Sequence, residues 1–192
     1  NFQLCCQTDL TATMTSAYLK NLMGVPVTDE ELENIPHPNV ELTLHTTVRF
    51  IQAGAVLGSL VAAPLVTAIG GPRTLSDLAD RALRYGVTGA RVGAVAAPLV
   101  TYAAMRKEPE IAVYDRVYRL RYHSNQVRHD RYFLIGASIG GASNGPAGAL
   151  VGILGGIALA TAYNSLLANR ERGEAPLTDQ LKSKVQAAKR QQ

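Results

Sequence analysis

Cysteine is nearly absent from this chain. Of its 192 residues only Cys5 and Cys6 are cysteines, and they are adjacent. Neighbouring cysteines exclude a long-range disulfide framework, and no C-x-x-C or Cys/His spacing marks a metal site. They read as two unpaired thiols in a loose N-terminal segment, with lipidation or an intermolecular bridge as alternatives. The N-terminal region also lacks a basic stretch followed by an apolar run, so no secretory signal is expected. An Arg-rich transit segment is missing too, and any organelle targeting is internal or already removed. His37, His123 and His129 have no matched carboxylate or cysteine partners in the sequence, so no metal ligation is expected of them. Paired carboxylates, a nucleophile–base arrangement and a phosphate loop are all unrecognisable. The glycine-rich run Gly140–Gly156 lacks the preceding strand and Lys-bearing loop of a nucleotide site. These absences argue against an enzyme and against a bound cofactor.

Charge is the next absence. Tyr132–Ala168 contains no charged residue. The stretch is too long for one membrane crossing and breaks at Ser143-Asn144-Gly145-Pro146, which predicts two short helices joined by a tight turn. Glycines recur along it at four-residue spacing: Gly136 and Gly140; Gly141 and Gly145; Gly148, Gly152 and Gly156. That spacing places them on one helical face, where a missing side chain lets another backbone approach. Phe50–Gly70 is also uncharged, and at about 1.5 Å per residue it covers about 31 Å, the thickness of a bilayer core. Tyr85–Met105 carries one charge, Arg91. Each of these two runs has its own glycine pair, Gly54/Gly58 and Gly89/Gly93, and each contains V-A-A-P-L-V-T, at Val61–Thr67 and Val95–Thr101. Pro64 in the first run needs a neighbouring helix to satisfy the carbonyl it frees.

Polar segments separate these runs. The N-terminal segment is acidic. It offers a short helix over Thr11–Met23 with Met14, Tyr18 and Leu22 on one side, then a capping box at Thr28–Glu31, and a stop at Pro36 and Pro38. Arg73–Arg84 reads as an amphipathic connector, at the headgroup level or against protein. In Arg106–Arg131, Tyr114, Tyr118 and Tyr122 share a helical face flanked by Arg116, Arg119 and Arg121, a combination suited to the membrane–water boundary. The tail after Ala168 is basic, with Pro176 and Thr178 opening a helix that carries Leu181 and Val185 on one side. The net charge of +4 comes from basic residues beside apolar runs, so phospholipid headgroups fit better than nucleic acid. Arg73, Arg84, Arg91, Arg106, Lys107, Arg128 and Arg131 are the headgroup candidates. Arg91, inside a crossing, either snorkels to the interface or lines a polar pathway.

The expected architecture is an all-α membrane protein of four short glycine-rich transmembrane helices in two hairpins. The spans are about 50–70, 85–105, 130–144 and 147–168, within a domain over 50–168. An acidic extramembrane segment, 1–49, precedes it, and a basic tail, 169–192, follows. The positive-inside rule places both termini on the matrix or cytoplasmic side.

The segment Arg128–Gly156 resembles the mitochondrial TIM-type translocase family (the preprotein and amino acid transporter family). The matching positions are Arg128, Asp130, Gly140, Gly141, Gly145, Pro146, Gly152, Gly155 and Gly156. The Arg-x-x-x-Asp spacing of that family is absent here, and Asp130 lies further from Gly140-Gly141 than the family pattern has it. The resemblance implies a mitochondrial inner-membrane location. In the family's non-transporting branch it implies an accessory subunit of respiratory NADH dehydrogenase (complex I). Partners would then be other membrane subunits and phospholipid, cardiolipin included. The alternative is a channel or scaffold subunit of an import translocase, with Gln52, Thr67, Arg91, Thr101, Ser138, Ser143 and Asn164 as lining groups.

Overall fold

The computed structural model describes residues 17–70 and 74–168, and among these every regular element is helical. The first described element is a helix, α1, whose described residues are 17–23. Gly24, at φ 82, ends it. Val25 N–H donates to the Lys20 carbonyl and Gly24 N–H to that of Asn21, the paired closure of a Schellman motif. Helix α2, Asp29–Glu33, has the capping box expected at Thr28: its hydroxyl accepts from Glu31 N–H and the Glu31 carboxylate accepts from Thr28 N–H.

Helix α3 runs over Pro38–Gly70. Helix α2 ends before Pro36 and Pro38, as their spacing predicts, and Pro38 also stands in the first turn of α3. There its missing N–H costs nothing and its fixed φ suits a helix start. The helix therefore begins well before Phe50. Gly58–Ala62 is a π-helical turn, closed by Ala63 N–H on the Gly58 carbonyl. Pro64 follows immediately, and widening the preceding turn relieves the clash of its ring with an upstream carbonyl.

Helix α4, Leu75–Met105, is capped by Thr74, which accepts from Asp77 N–H. The connector around Leu75–Arg84 is the first part of the same helix as Tyr85–Met105, because no glycine or proline breaks the chain between them. Helix α5 covers Glu110–Tyr122. Ser124–Tyr163 is helical throughout except at Asn144 (φ −148, ψ 37) and Gly145 (φ 56, ψ −144). The Gly145 conformation is essentially restricted to glycine, and Pro146 then starts the next helix. The two arms, α6 (124–143) and α7 (146–163), fold back on each other, and a π turn, Asn164–Ala168, extends α7.

Among the described residues three helices are long and apolar enough to cross a membrane: Pro38–Gly70, Leu75–Met105 and Ser124–Ala168, the last bent at its middle. Only 17–28% of the most apolar stretch of each is buried, so most of these side chains face outward. Two small cores hold the molecule together. One joins Ala55, Phe133, Leu150 and Ile153 where the two hairpins cross. The other joins Ile35, Leu42, Val113 and Val117 under α5. Cys5-Cys6, Met14, Arg73 and the tail after Ala168 lie outside the described residues.

Candidate functional site

Three arrangements carry the specific chemistry of this chain. The first is the glycine-lined crossing of each hairpin. A methyl added at Gly54 would lie 2.1 Å from the Gly89 carbonyl oxygen, and one at Gly89 the same distance from that of Gly54. Gly58 meets the Tyr85 carbonyl at 2.1 Å and Gly93 meets that of Phe50 at 2.3 Å. In the second hairpin Gly136 pairs with Gly152 and Gly140 with Gly148, again near 2 Å, and Gly156 meets the Tyr132 carbonyl at 2.3 Å. Pairs advance by four residues along one helix and retreat by four along the other, the register of antiparallel helices in backbone contact. Two glycines depart from the packing role expected of them. Gly141 has only the Ala149 Cβ at an ordinary 3.6 Å, and Gly145 sits in the turn with open space around it.

Gly86, not singled out in the sequence, also admits no side chain: a methyl there would lie 2.1 Å from the Ser59 hydroxyl and 2.6 Å from Leu150. It stands three residues before Gly89, so the four-residue pattern passed over it.

The second arrangement is a buried charge cluster joining α3 to α6. Asp130 is 2% exposed at the start of the long apolar run. One carboxylate oxygen lies 3.1 Å from His45 Nδ1; the other lies 3.2 Å from Arg49 Nη2 and accepts from Gln52 Nε2 at 3.3 Å. Arg49 also donates to Gln52 Oε1 at 2.9 Å. The donors around Gln126 orient its carboxamide oxygen inward, where it accepts from His45 Nε2 at 2.6 Å and from Arg49 Nε and Nη2 at 3.0 and 3.1 Å. Both ring nitrogens of His45 therefore face oxygen atoms.

A third arrangement lies beside it. Arg121 of α5 is buried and its Nε donates to Glu41 Oε2 at 2.9 Å, with Nη2 on the other carboxylate oxygen. Its Nη1 donates to the carbonyls of Glu31, Leu32 and Asn34 at 3.1, 2.8 and 3.2 Å. One guanidinium thus closes the end of α2 and ties it to α3. Arg131 does the same for α1, donating to the carbonyls of Leu22 and Asn21 at 3.0 and 2.9 Å. Arg128 bonds to Asn164 and Asn125 and lies over the Tyr163 ring at 4.7 Å. A cavity of about 20 Å³, room for one water, lies among Tyr18, Glu41, His45, Arg121 and Asp130. The buried Tyr18 hydroxyl has no hydrogen-bond partner among the described residues. Burial first, then the negative charges of Asp130 and Glu41, push its pKa up to about 12.

The sequence reading placed Arg121, Arg128 and Arg131 at the membrane–water boundary. The structure engages all three with the protein's own polar groups. Arg84, Arg91, Arg106 and Lys107 are exposed. The groups considered for a polar pathway do not converge. Gln52 and Asn164 sit in polar contacts at one end of the helices, while Thr67 donates to the Ala63 carbonyl and accepts from Arg81. Ser138 and Ser143 are exposed, and the buried Thr101 hydroxyl has no partner among the described residues. Among the described residues no three His, Cys, Asp or Glu side chains are grouped to hold a metal ion.

A family model described as "Protein of unknown function (DUF1757)" matches residues 18–163. No curated protein matches the chain.

Proposed function

This chain belongs to the DUF1757 family, and we propose that it acts as a non-catalytic structural subunit of a membrane complex. Its helices would lie in the bilayer as two hairpins, and its small helices α1, α2 and α5 would sit at the surface. The observation that carries the reading is the division of side chains. The buried charges Asp130, Glu41 and Arg121 are matched within the protein, Asp130 by the half-buried Arg49 and Glu41 by Arg121. The outward faces of the long helices present Leu57, Leu60, Leu65, Val92, Val95, Leu99, Ile139, Val151 and Leu159. Lipid or other membrane subunits are the natural cover for such faces. The glycine crossings supply a rigid scaffold rather than a reacting group.

The layout of the helices and the Arg128–Gly156 segment favour the mitochondrial inner membrane, with NADH dehydrogenase as the assembly. In this reading bound phospholipid is a partner and nucleic acid is not. The import-translocase alternative needs a hydrated path, and the dispersed polar groups named above argue against it. The experiment is native-gel analysis of solubilised membranes from cells carrying Gly136→Leu with Gly152→Leu. The proposal expects loss of the large assembly and of the NADH dehydrogenase activity migrating with it. Normal assembly of that double variant would refute the packing role. Co-migration with import-motor subunits would favour the alternative.

A further inference from the structure

Arg84 and Arg91 lie two helical turns apart on α4, on the face that also carries Thr88. Both are exposed, and neither guanidinium has a hydrogen bond or ion pair among the described residues. They border a recess of about 550 Å³ whose opposite wall is Pro146 and Ala147, the tip of the α6–α7 hairpin. Leu83 belongs both to this recess and to an apolar groove of about 640 Å³ that runs along the glycine face of α6 and α7, past Ile135, Ile139 and Val151. A pair of unmatched cations therefore opens directly onto an apolar channel on the protein's outer surface.

The two hairpins differ in reach. From Arg49 to Gly70, α3 covers about 31 Å, matching a bilayer core of about 30 Å. From Asp130 to Asn144, α6 covers only about 21 Å. Its tip stops beside Leu83, eight residues or about 12 Å along α4 from Leu75. On the membrane reading proposed above, on which this inference rests, the bilayer beside the tip must thin or admit headgroups. Arg84 stands at that level, and Arg91 lies about 11 Å further along α4, on the same recess.

We propose that the recess binds the headgroup of an anionic phospholipid, its phosphate held by Arg84 and Arg91 and its acyl chains laid in the groove of α6 and α7. Phosphate oxygens match the guanidinium donors, and the apolar groove matches the chains. A zwitterionic lipid offers the same phosphate but brings its own ammonium beside the two guanidinium groups, which its net neutral headgroup then attracts less.

The test uses the full chain in nanodiscs of phosphatidylcholine with and without phosphatidylglycerol, followed by native mass spectrometry to count phosphatidylglycerol retained on release. Wild type should keep the anionic lipid. Arg84→Gln with Arg91→Gln should retain it roughly thirtyfold less, given the usual worth of each basic residue at a lipid surface. Arg116→Gln on α5 should leave retention unchanged. The double variant should keep its helical circular dichroism, since neither guanidinium contacts the protein. Equal retention by the double variant, or none by wild type, would overturn the lipid site while the membrane reading stands. Failure of wild type to enter neutral nanodiscs would overturn both. Cross-linking of Thr88→Cys in the native complex to an acidic protein segment seated in the recess would replace lipid with protein and so also refute it.

Discussion

Asp130 of α6 and His45 of α3 meet at 3.1 Å in a site from which water is nearly excluded. This pair, with Arg49 and Gln52 on the same carboxylate, is the polar joint between the two hairpins. Asp130→Asn keeps the shape but leaves Arg49 without its counter-charge. Breaking a buried pair by removing one partner costs about 3–5 kcal/mol. Thermal unfolding in detergent should show a large drop for Asp130→Asn, and Asp130→Glu should recover part of it. Stability unchanged in Asp130→Asn would mean that the cluster does not hold the hairpins together.

The glycines divide into two groups that a single substitution separates. Gly136→Ala places a methyl 2.1 Å from the Gly152 carbonyl oxygen, whereas Gly141→Ala meets only the Ala149 Cβ at 3.6 Å. The first should destabilise by about 1–3 kcal/mol through overpacking. The second should be neutral or slightly stabilising, because alanine is the better helix former. Chemical denaturation of the two purified variants checks the contrast; equal stabilities would contradict the crossing.

Arg121→Lys should fail as a conservative change. Arg121 uses three nitrogens at once, two on Glu41 and one on three carbonyls. A lysine ammonium is a single point with three donors and lacks the planar fork. The loss should be on the order of 2 kcal/mol, concentrated in the segment around α2. Limited proteolysis should cut between α2 and α3 faster in Arg121→Lys than in wild type.

Tyr18 gives a pH signature. Its pKa is pushed up to about 12 in the folded protein by burial and by Asp130 and Glu41, against about 10 for an unperturbed tyrosine. The sign follows from linkage: the folded state holds this proton more tightly, so its contribution is complete below pH about 10 and lost as pH rises toward 12. Difference ultraviolet titration of wild type against Tyr18→Phe should contain a phenolate rise only near pH 12. A rise near 10 would place the ring in solvent.

Local chemistry announced much of the fold. Thr28 and Glu31 stand at capping-box spacing, Asn144-Gly145-Pro146 joins a glycine-only conformation to a helix-starting proline, and Gly54 and Gly89 carry the spacing of a close crossing. Other features were ambiguous. Pro38 stops one helix and starts another with equal ease. Gly140 and Gly141 belong to different faces, and spacing alone does not say which face is inside. The charge clusters left no local trace. Arg121 and Glu41 are 80 positions apart, and Gln52 and Asp130 are 78 apart. Arg121 looked like its neighbours Arg116 and Arg119, though only it faces the core. Asp130 gave the single hint, an acidic residue at the edge of an apolar run.

The most direct measurement is the composition of the native assembly. The tagged full chain is purified from membranes that have been washed with alkaline carbonate and then solubilised in mild detergent. The account predicts that the chain resists the wash and elutes in one large complex with other membrane subunits and NADH dehydrogenase activity. Release by carbonate, or elution as an isolated monomer, would contradict it.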